Sequence, residues 1–559
     1  MIRNKHPQAG SINFFAATGE CLTVFLLFAL ITIFFFGPAL PHLTQSLIGP
    51  PEDNLNDFWN SWYAAVAADH AHFFETNLVR YPDGTPLFFH DFAYPVLFVL
   101  VLLAQALGTT HGSLVFLQNL MILISFPLSG TAAFYLVRHF THHTAASIVG
   151  GFVFAFNPSH FAHALHHLGI AQIEFFPLFA LAWILTIKRK SVGWLVVAII
   201  CYALGSLCCW YYLFYMGFFV LFHTIYLRIR DNELPRGWKL AAPILCFAGV
   251  GLLLSPLILP MILQTQSPHV YYADGNFFVA DLAGFFTFFP THMLGGLTAG
   301  LFSRFSGNPW EATVYLGLIN VGLIFWLIWY NYRKKVRIQN YFLAGIIVFC
   351  TLACGNTLHI LGYDLYFPMP NILLSSLPFV AEVRTPSRII VLVYLFLSIG
   401  VGYALATIAR EHKGKLASVC LTGLAALIVL DFYPSHVQMT DARCPAGLDI
   451  IASDKEHDFG VLNLPLTYLE GNIAMFQQTC HGRPVAHASL SRLVRPSLID
   501  GLEQKNLALQ HQQLVRARVK YIIFDSAASS PIYERNKVRY EKQYRPIFRS
   551  SKLTIARVY

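Results

Sequence analysis

Tyr94-Pro95-Val96-Leu97-Phe98-Val99-Leu100-Val101-Leu102-Leu103-Ala104-Gln105-Ala106-Leu107 is an apolar run with Gly108 behind it. Read as a helix, it falls short of the roughly 20 residues that crossing a bilayer core takes. Whether it crosses decides the side on which every later loop lies. Other spans are expected near Ala16–Phe36, Leu114–Val137, Ala145–Phe161, Ile170–Ile187, Val192–Cys208, Tyr211–Tyr226, Ala241–Leu263, Ala312–Tyr330, Tyr341–Cys354, Ile389–Ile408 and Leu416–Phe432, about eleven in all. Basic residues follow them at Arg138, at Lys188, Arg189 and Lys190, at Arg228, Arg230, Arg236 and Lys239, at Arg333, Lys334, Lys335 and Arg337, and at Arg410, Lys413 and Lys415. With Arg3 and Lys5, all of these share one side only if Tyr94–Leu107 does not cross. Arg80, Arg304, Arg384 and Arg388 then face the other side. Since Lys and Arg concentrate in cytoplasmic loops, the run is expected to be a re-entrant or interfacial helix. The N-terminus is then cytoplasmic and the C-terminus extracytoplasmic.

Composition agrees with a membrane class. Of 559 residues, 56% are hydrophobic, 15% aromatic and only 12% charged, about half the charge fraction of a soluble domain. The expected fold is an all-α polytopic membrane domain over residues 1–433, its first extracytoplasmic loop running from 37 to 112. Residues 434–559 have ordinary charge and turn content, and read as a small extracytoplasmic α/β domain. Its strands are expected at Val461–Leu464, Tyr521–Phe524 and Leu553–Val558, with a helix at Gly501–Arg516. The net charge of +9 is spread in short clusters between apolar runs, which argues against a nucleic-acid partner. Ala16–Phe36 is too long for a signal-peptide core and is expected to anchor. Eight of the ten cysteines lie in or beside apolar runs; Cys444 and Cys480 lie outside them and can pair in an oxidising compartment. No zinc pattern, P-loop, dinucleotide fingerprint or nucleophile elbow occurs in a usable context.

Three groups of unusual residues converge on the expected outer face. Pro50-Pro51-Glu52-Asp53-Asn54-Leu55-Asn56-Asp57-Phe58-Trp59-Asn60-Ser61-Trp62-Tyr63 places Asp53, Asp57 and Asn60 at i, i+4 and i+7, one helical face. Phe58, Trp59, Trp62 and Val66 cover the other side, as on an interfacial helix; the alternative is a loop with solvated acids. The surrounding loop holds seven acids (Glu52, Asp53, Asp57, Asp69, Glu75, Asp83 and Asp91) and Arg80. His160, His163 and His167 share a second face, which can line a polar cavity, hold a metal, or simply cap helix ends. Arg384-Thr385-Pro386-Ser387-Arg388 opens a span from outside, with Thr385 as candidate N-cap. Two arginines at a helix N-terminus suit a phosphate, or else snorkel to lipid head groups. Glu311 opens another span from outside and is either a dipole-favoured acid or part of the site.

Taken together these residues resemble the GT-C glycosyltransferases, and more closely a group of bacterial membrane proteins within that superfamily. The resemblance rests on Asp53-x5-Trp59-x2-Trp62, Tyr81-Pro82-Asp83-Gly84, Phe156-Asn157-Pro158, His167-Leu168, Glu311-x3-Tyr315-x-Gly317 and Arg384-Thr385-Pro386-Ser387-Arg388, in that order over residues 15–435. It implies a polyprenyl-phosphate sugar donor, a glycan, lipid or protein acceptor, and a bacterial inner-membrane location. It also implies Asp53 as general base, with Asp57 assisting or replacing it, and Arg384 and Arg388, with Arg80, holding the departing phosphate. His160, His163, His167 and Glu311 would line the cavity. Some superfamily members add a divalent metal such as Mg or Mn, which is left open here. A transporter or flippase fits less well, because the spans lack midplane charges and no internal repeat is evident. A non-catalytic envelope assembly protein is the other alternative.

Overall fold

The computed structural model describes residues 14–559 except 233, 235, 265–275, 337–339, 378–379, 381–382, 413, 493 and 527–530. Arg3, Lys5, Arg337, Lys413 and part of the stretch between the expected spans Ala241–Leu263 and Ala312–Tyr330 therefore lie outside the described residues.

The apolar runs fold as helices, the conformation that satisfies every backbone group within one segment where water is absent. They are α1 (Phe14–Phe36), α2 (Asp53–Trp62), α3 (Tyr94–Leu107), α4 (His111–Thr141), α5 (Thr144–Ala155), α6 (Pro158–Ala164) and α7 (Phe175–Arg189). The series continues with α8 (Val192–Cys208), α9 (Trp210–Asp231), α10 (Trp238–Gln264), α11 (Gly295–Phe302), α12 (Leu318–Lys334), α13 (Asn340–Ala353), α14 (Asn371–Ser375), α15 (Ile390–Glu411) and α16 (Lys415–Phe432). Among the described residues six of these regions are long and apolar enough to cross a membrane: α1, α4, α9, α10, α15 with its preceding turn, and α16. The other expected spans fold as helices of 12 to 17 residues. The chain is a multi-pass membrane protein, and α15, apolar all round and almost wholly buried, is its central helix.

Two expected spans are corrected. Ala145–Phe161 is not one helix: α5 stops at Ala155, Asn157 accepts the His160 N–H at 2.8 Å, and Pro158 starts α6. That is an N-cap followed by proline at the first helical position. Ala312–Tyr330 begins as a helix only at Leu318, because Gly317 adopts φ +86°, and a Cβ there would collide with Phe432 and the Asn320 side chain.

The segment after α16 is stitched to the first loop. Strand β1 (Ser46–Ile48) pairs antiparallel with β6 (Met439–Asp441), after the short hairpins β2 (Glu75–Thr76)–β3 (Thr85–Pro86) and β4 (Thr357–Ile360)–β5 (Tyr363–Pro368). Cys444 and Cys480 form a disulfide. Beyond α17 (Leu448–Ala452) lie β7 (Gly460–Leu464), α18 (Tyr468–His481), α19 (Leu507–Arg516), β8 (Val519–Asp525), α20 (Pro531–Gln543), β9 (Arg545–Arg549) and β10 (Leu553–Arg557). The sheet order is β7-β8-β10-β9, with only β7 and β8 parallel. The expected helix Gly501–Arg516 starts at Leu507, because Asn506 caps it by accepting the Leu509 N–H.

Helix α2 is also corrected. Its aromatic side does not lie on an interface: Phe58, Trp59 and Trp62 are buried under α18 and α4, and Val66 alone of the four is exposed. Trp59 donates its indole N–H to Gln478 at 2.7 Å, and Phe58 packs on Phe476 and His111.

Candidate functional site

Asp53 starts α2, where a carboxylate complements the helix dipole. Its Oδ1 accepts the Tyr468 hydroxyl at 2.7 Å and the Asn472 amide at 3.1 Å, both from α18. Its Oδ2 lies 3.5 Å from His167 Nε2. Asn472 is held in that orientation by Asn56, whose amide donates to Asn472 Oδ1 and to the Ser489 carbonyl.

Asp57, one turn further, accepts the Leu168 N–H at 2.7 Å. Burial pushes its carboxyl well above the usual range, with Asp91 and Asp53 adding repulsion against that hydrogen bond. This ties Asp57 to the α6–α7 connection rather than presenting it as a free base. Asp91 sits close enough to couple to both acids; burial raises it to about 6, while Arg388 and Arg384 pull it down and Asp53 pushes it up. It was one acid among seven in the sequence, and only the packing of the chain entering α3 beside α2 brings it here.

Glu311 and Arg388 form a buried pair. Arg388 Nε donates to Glu311 Oε1 at 2.8 Å and its Nη2 to the same oxygen, while the guanidinium lies over the Tyr211 ring. The other Glu311 oxygen is 3.1 Å from His163 Nε2. Burial alone would raise the Glu311 carboxyl, but Arg388 and His163 hold it well below the ordinary range. Arg388 thus has Glu311 as its counter-charge in this arrangement. Arg384 is half-buried, and among the described residues it makes no ion pair; its charge reaches Asp91 and Tyr468.

The three histidines do not converge as the sequence pattern suggested. His160 is buried with Nε2 2.8 Å from the Ala171 carbonyl, and stacks on Phe126. His163 bridges the Ser159 carbonyl and Glu311. Of the three only His167 reaches Asp53, lying between it and Arg388 Nη2 at 3.4 Å, and burial drives its pKa down to about 4, the neutral imidazole. Unpredicted, His166 stacks on Trp310 beside Glu52. Arg80 is buried but binds Asp500 and the Arg495 carbonyl instead of joining the Asp53 cluster. Among the described residues the one trio at metal-ligand spacing is His111, Cys444 and Cys480. The disulfide takes both sulfurs out of it. Among the described residues no third ligand meets Asp53 and His167 at metal-ligand spacing, and no step below runs through a metal.

Residues 17–433 match the model of a domain of unknown function, DUF6311. The chain belongs to that family. No curated protein matches the sequence. Among solved structures, the mycobacterial arabinofuranosyltransferase AftD aligns with a TM-score of 0.54 at 12% identity, covering 97% of this chain and 40% of that one. The apo oligosaccharyltransferase of Archaeoglobus fulgidus aligns at 0.52 and 11%, covering 90% and 69%. AglB from the same organism, bound to an inhibitory peptide and a dolichol-phosphate, aligns at 0.50 and 12%, covering 91% and 70%. At such identities the likeness is one of fold, and the DUF6311 chain has the GT-C membrane glycosyltransferase fold.

Proposed function

We propose that the chain is a membrane glycosyltransferase. It moves a sugar from a polyprenyl-phosphate-linked donor to an envelope glycan, lipid or protein on the extracytoplasmic face of a bacterial inner membrane. The observation that carries this reading is Asp53. It stands at the start of an otherwise buried helix in the first long loop of a GT-C fold, is held by neutral donors, and sits within a cluster reached by the charge of Arg384, which makes no ion pair among the described residues. The dolichol-phosphate in the archaeal relative supports a lipid phosphate as leaving group.

In this mechanism an acceptor hydroxyl gives its proton to Asp53. Its oxygen forms the new bond to the anomeric carbon as the bond from that carbon to the lipid phosphate breaks. Arg384 meets the charge growing on the departing phosphate. Arg388 and Glu311 act at one remove, fixing His163 and His167 behind Asp53. The test is release of polyprenyl phosphate by the purified protein in nanodiscs, over a panel of donors with envelope extract as acceptor. Asp53→Asn is expected to lower turnover at least about 100-fold. Equal turnover by the variant overturns the base assignment. No release by wild type from any donor favours the envelope assembly role instead.

A further inference from the structure

Helix α18 belongs to the segment after the last span, yet it supplies both hydrogen bonds on Asp53 Oδ1. Tyr468 and Asn472 stand one turn apart on the same face of it, side by side over one carboxylate oxygen. The phenol is an odd choice for a purely structural brace. Its hydroxyl is anchored on Asp53, but Tyr468 as a whole is 64% exposed, leaving a bare aromatic face at the mouth of the cluster. Asn56, Ser489 and Asn472 form a neutral, hydrogen-bonding floor beside it.

We infer that α18 forms the acceptor subsite and that the acceptor is a carbohydrate. The Tyr468 hydroxyl holds, on Asp53, the position that the acceptor's nucleophilic hydroxyl takes during the reaction. The inference rests on the transferase reading and specifies its acceptor. When acceptor binds, the phenol releases Asp53, the sugar hydroxyl replaces it as hydrogen-bond donor, and the apolar C–H face of the sugar ring stacks on the tyrosine ring. Asn472 stays as the second donor and keeps the carboxylate oriented. A sugar is the ligand that offers both a stacking face and hydroxyls at hydrogen-bond spacing. A peptide or a lipid amine would offer Asp53 a donor without needing the exposed ring.

Two substitutions separate this placeholder from a structural tyrosine. Tyr468→Phe keeps the ring and removes the competing hydroxyl, so the acceptor KM is expected to fall about two- to fivefold with donor KM unchanged. Tyr468→Ala removes the stacking face, so acceptor KM is expected to rise at least tenfold, again with donor KM unchanged. The same three proteins, labelled in nanodiscs, are applied to an array of hexose, hexosamine and pentose oligosaccharides; binding by wild type is expected to strengthen in Tyr468→Phe and vanish in Tyr468→Ala. A rise in acceptor KM for Tyr468→Phe, or equal effects on donor and acceptor, overturns the placeholder. Turnover onto a peptide or amine acceptor, with no array binding, overturns the carbohydrate assignment while leaving the transferase standing. Array binding that follows the tyrosine, without release of lipid phosphate from any donor, upholds the subsite and overturns the transferase reading.

Discussion

Arg384 and Arg388 lie four residues apart, Arg388 in the turn Pro386–Ile389 and Arg384 in the chain before it, and the proposal gives them different tasks. Arg388 is enclosed with Glu311 (side-chain exposures of 12% and 2%), so each charge is stable only in the presence of the other. Removing one partner of such a pair typically costs on the order of 3–5 kcal/mol. Glu311→Gln is therefore expected to lower the melting temperature in detergent markedly, because Arg388 is left buried without its counter-charge. Arg384→Ala is expected to leave the melting temperature within a degree or two and to lower kcat about 10- to 100-fold, since among the described residues it pairs with no acid and is proposed to meet the leaving phosphate. A matched loss of stability in both variants would reverse this division. The sequence singled out all three of these residues with His163 and His167, but could not assign the pairs. Glu311 and Arg388 are 77 positions apart, and nothing local records that one acid will neutralise the second arginine and leave the first. Asp91 was illegible for the same reason: its neighbours come from α2 and from residues near 384–388.

At the scale of elements, local signals were read well wherever the chain is punctuated by ordinary chemistry. The boundaries of α3 and α8 follow the apolar runs residue for residue. The Asn157-Pro158 break was written in the sequence as a cap and a first-turn proline, yet apolar residues on either side masked it. Helix α18 was missed because its pattern is mixed: Glu470, Asn472, Gln477, Gln478 and His481 are polar and yet buried. Their placement depends on α2 and β7 packing around them. Glu470 is the most exposed to consequence. It is wholly buried, neither oxygen has a well-formed hydrogen bond, and burial raises its pKa to about 9, with Asp525 adding to the rise and Asn463 opposing it. The folded state thus favours the neutral acid. That contribution is complete below the unfolded value of about 4.5, and is lost as pH rises towards 9. Glu470→Gln mimics the neutral form, so it is expected to match wild type in stability near pH 5. Near pH 8 it is expected to exceed wild type by on the order of 1–3 kcal/mol. Denaturant unfolding at the two pH values checks this; a constant difference between the proteins would mean that Glu470 is not protonated on folding.

Over the whole molecule, the proposed side of the membrane for the site rests on two independent lines. One is the distribution of Lys and Arg, which holds together only if α3 does not cross. The other is the Cys444–Cys480 disulfide, which belongs in an oxidising compartment. Strand β6 and α18 tie the disulfide-bearing segment to the first loop through β1 and Asp53. On this proposal the loop, the site and the C-terminal segment share one side, and α3 enters and leaves on it. At 14 residues, α3 rises about 21 Å, short of the ~30 Å hydrocarbon core. Fusions of a phosphatase that is active only outside the cytoplasm test the arrangement directly. Activity is expected with the phosphatase inserted after Gly108 and when it is fused behind Tyr559, and none when it follows Lys190. An inactive insertion at Gly108 together with an active one at Lys190 would make α3 a crossing helix. It would also place α4 and every later helix in the reverse sense, with His167, Glu311, Arg384 and Arg388 on the cytoplasmic side, where a single cavity with Asp53 of the first loop cannot form.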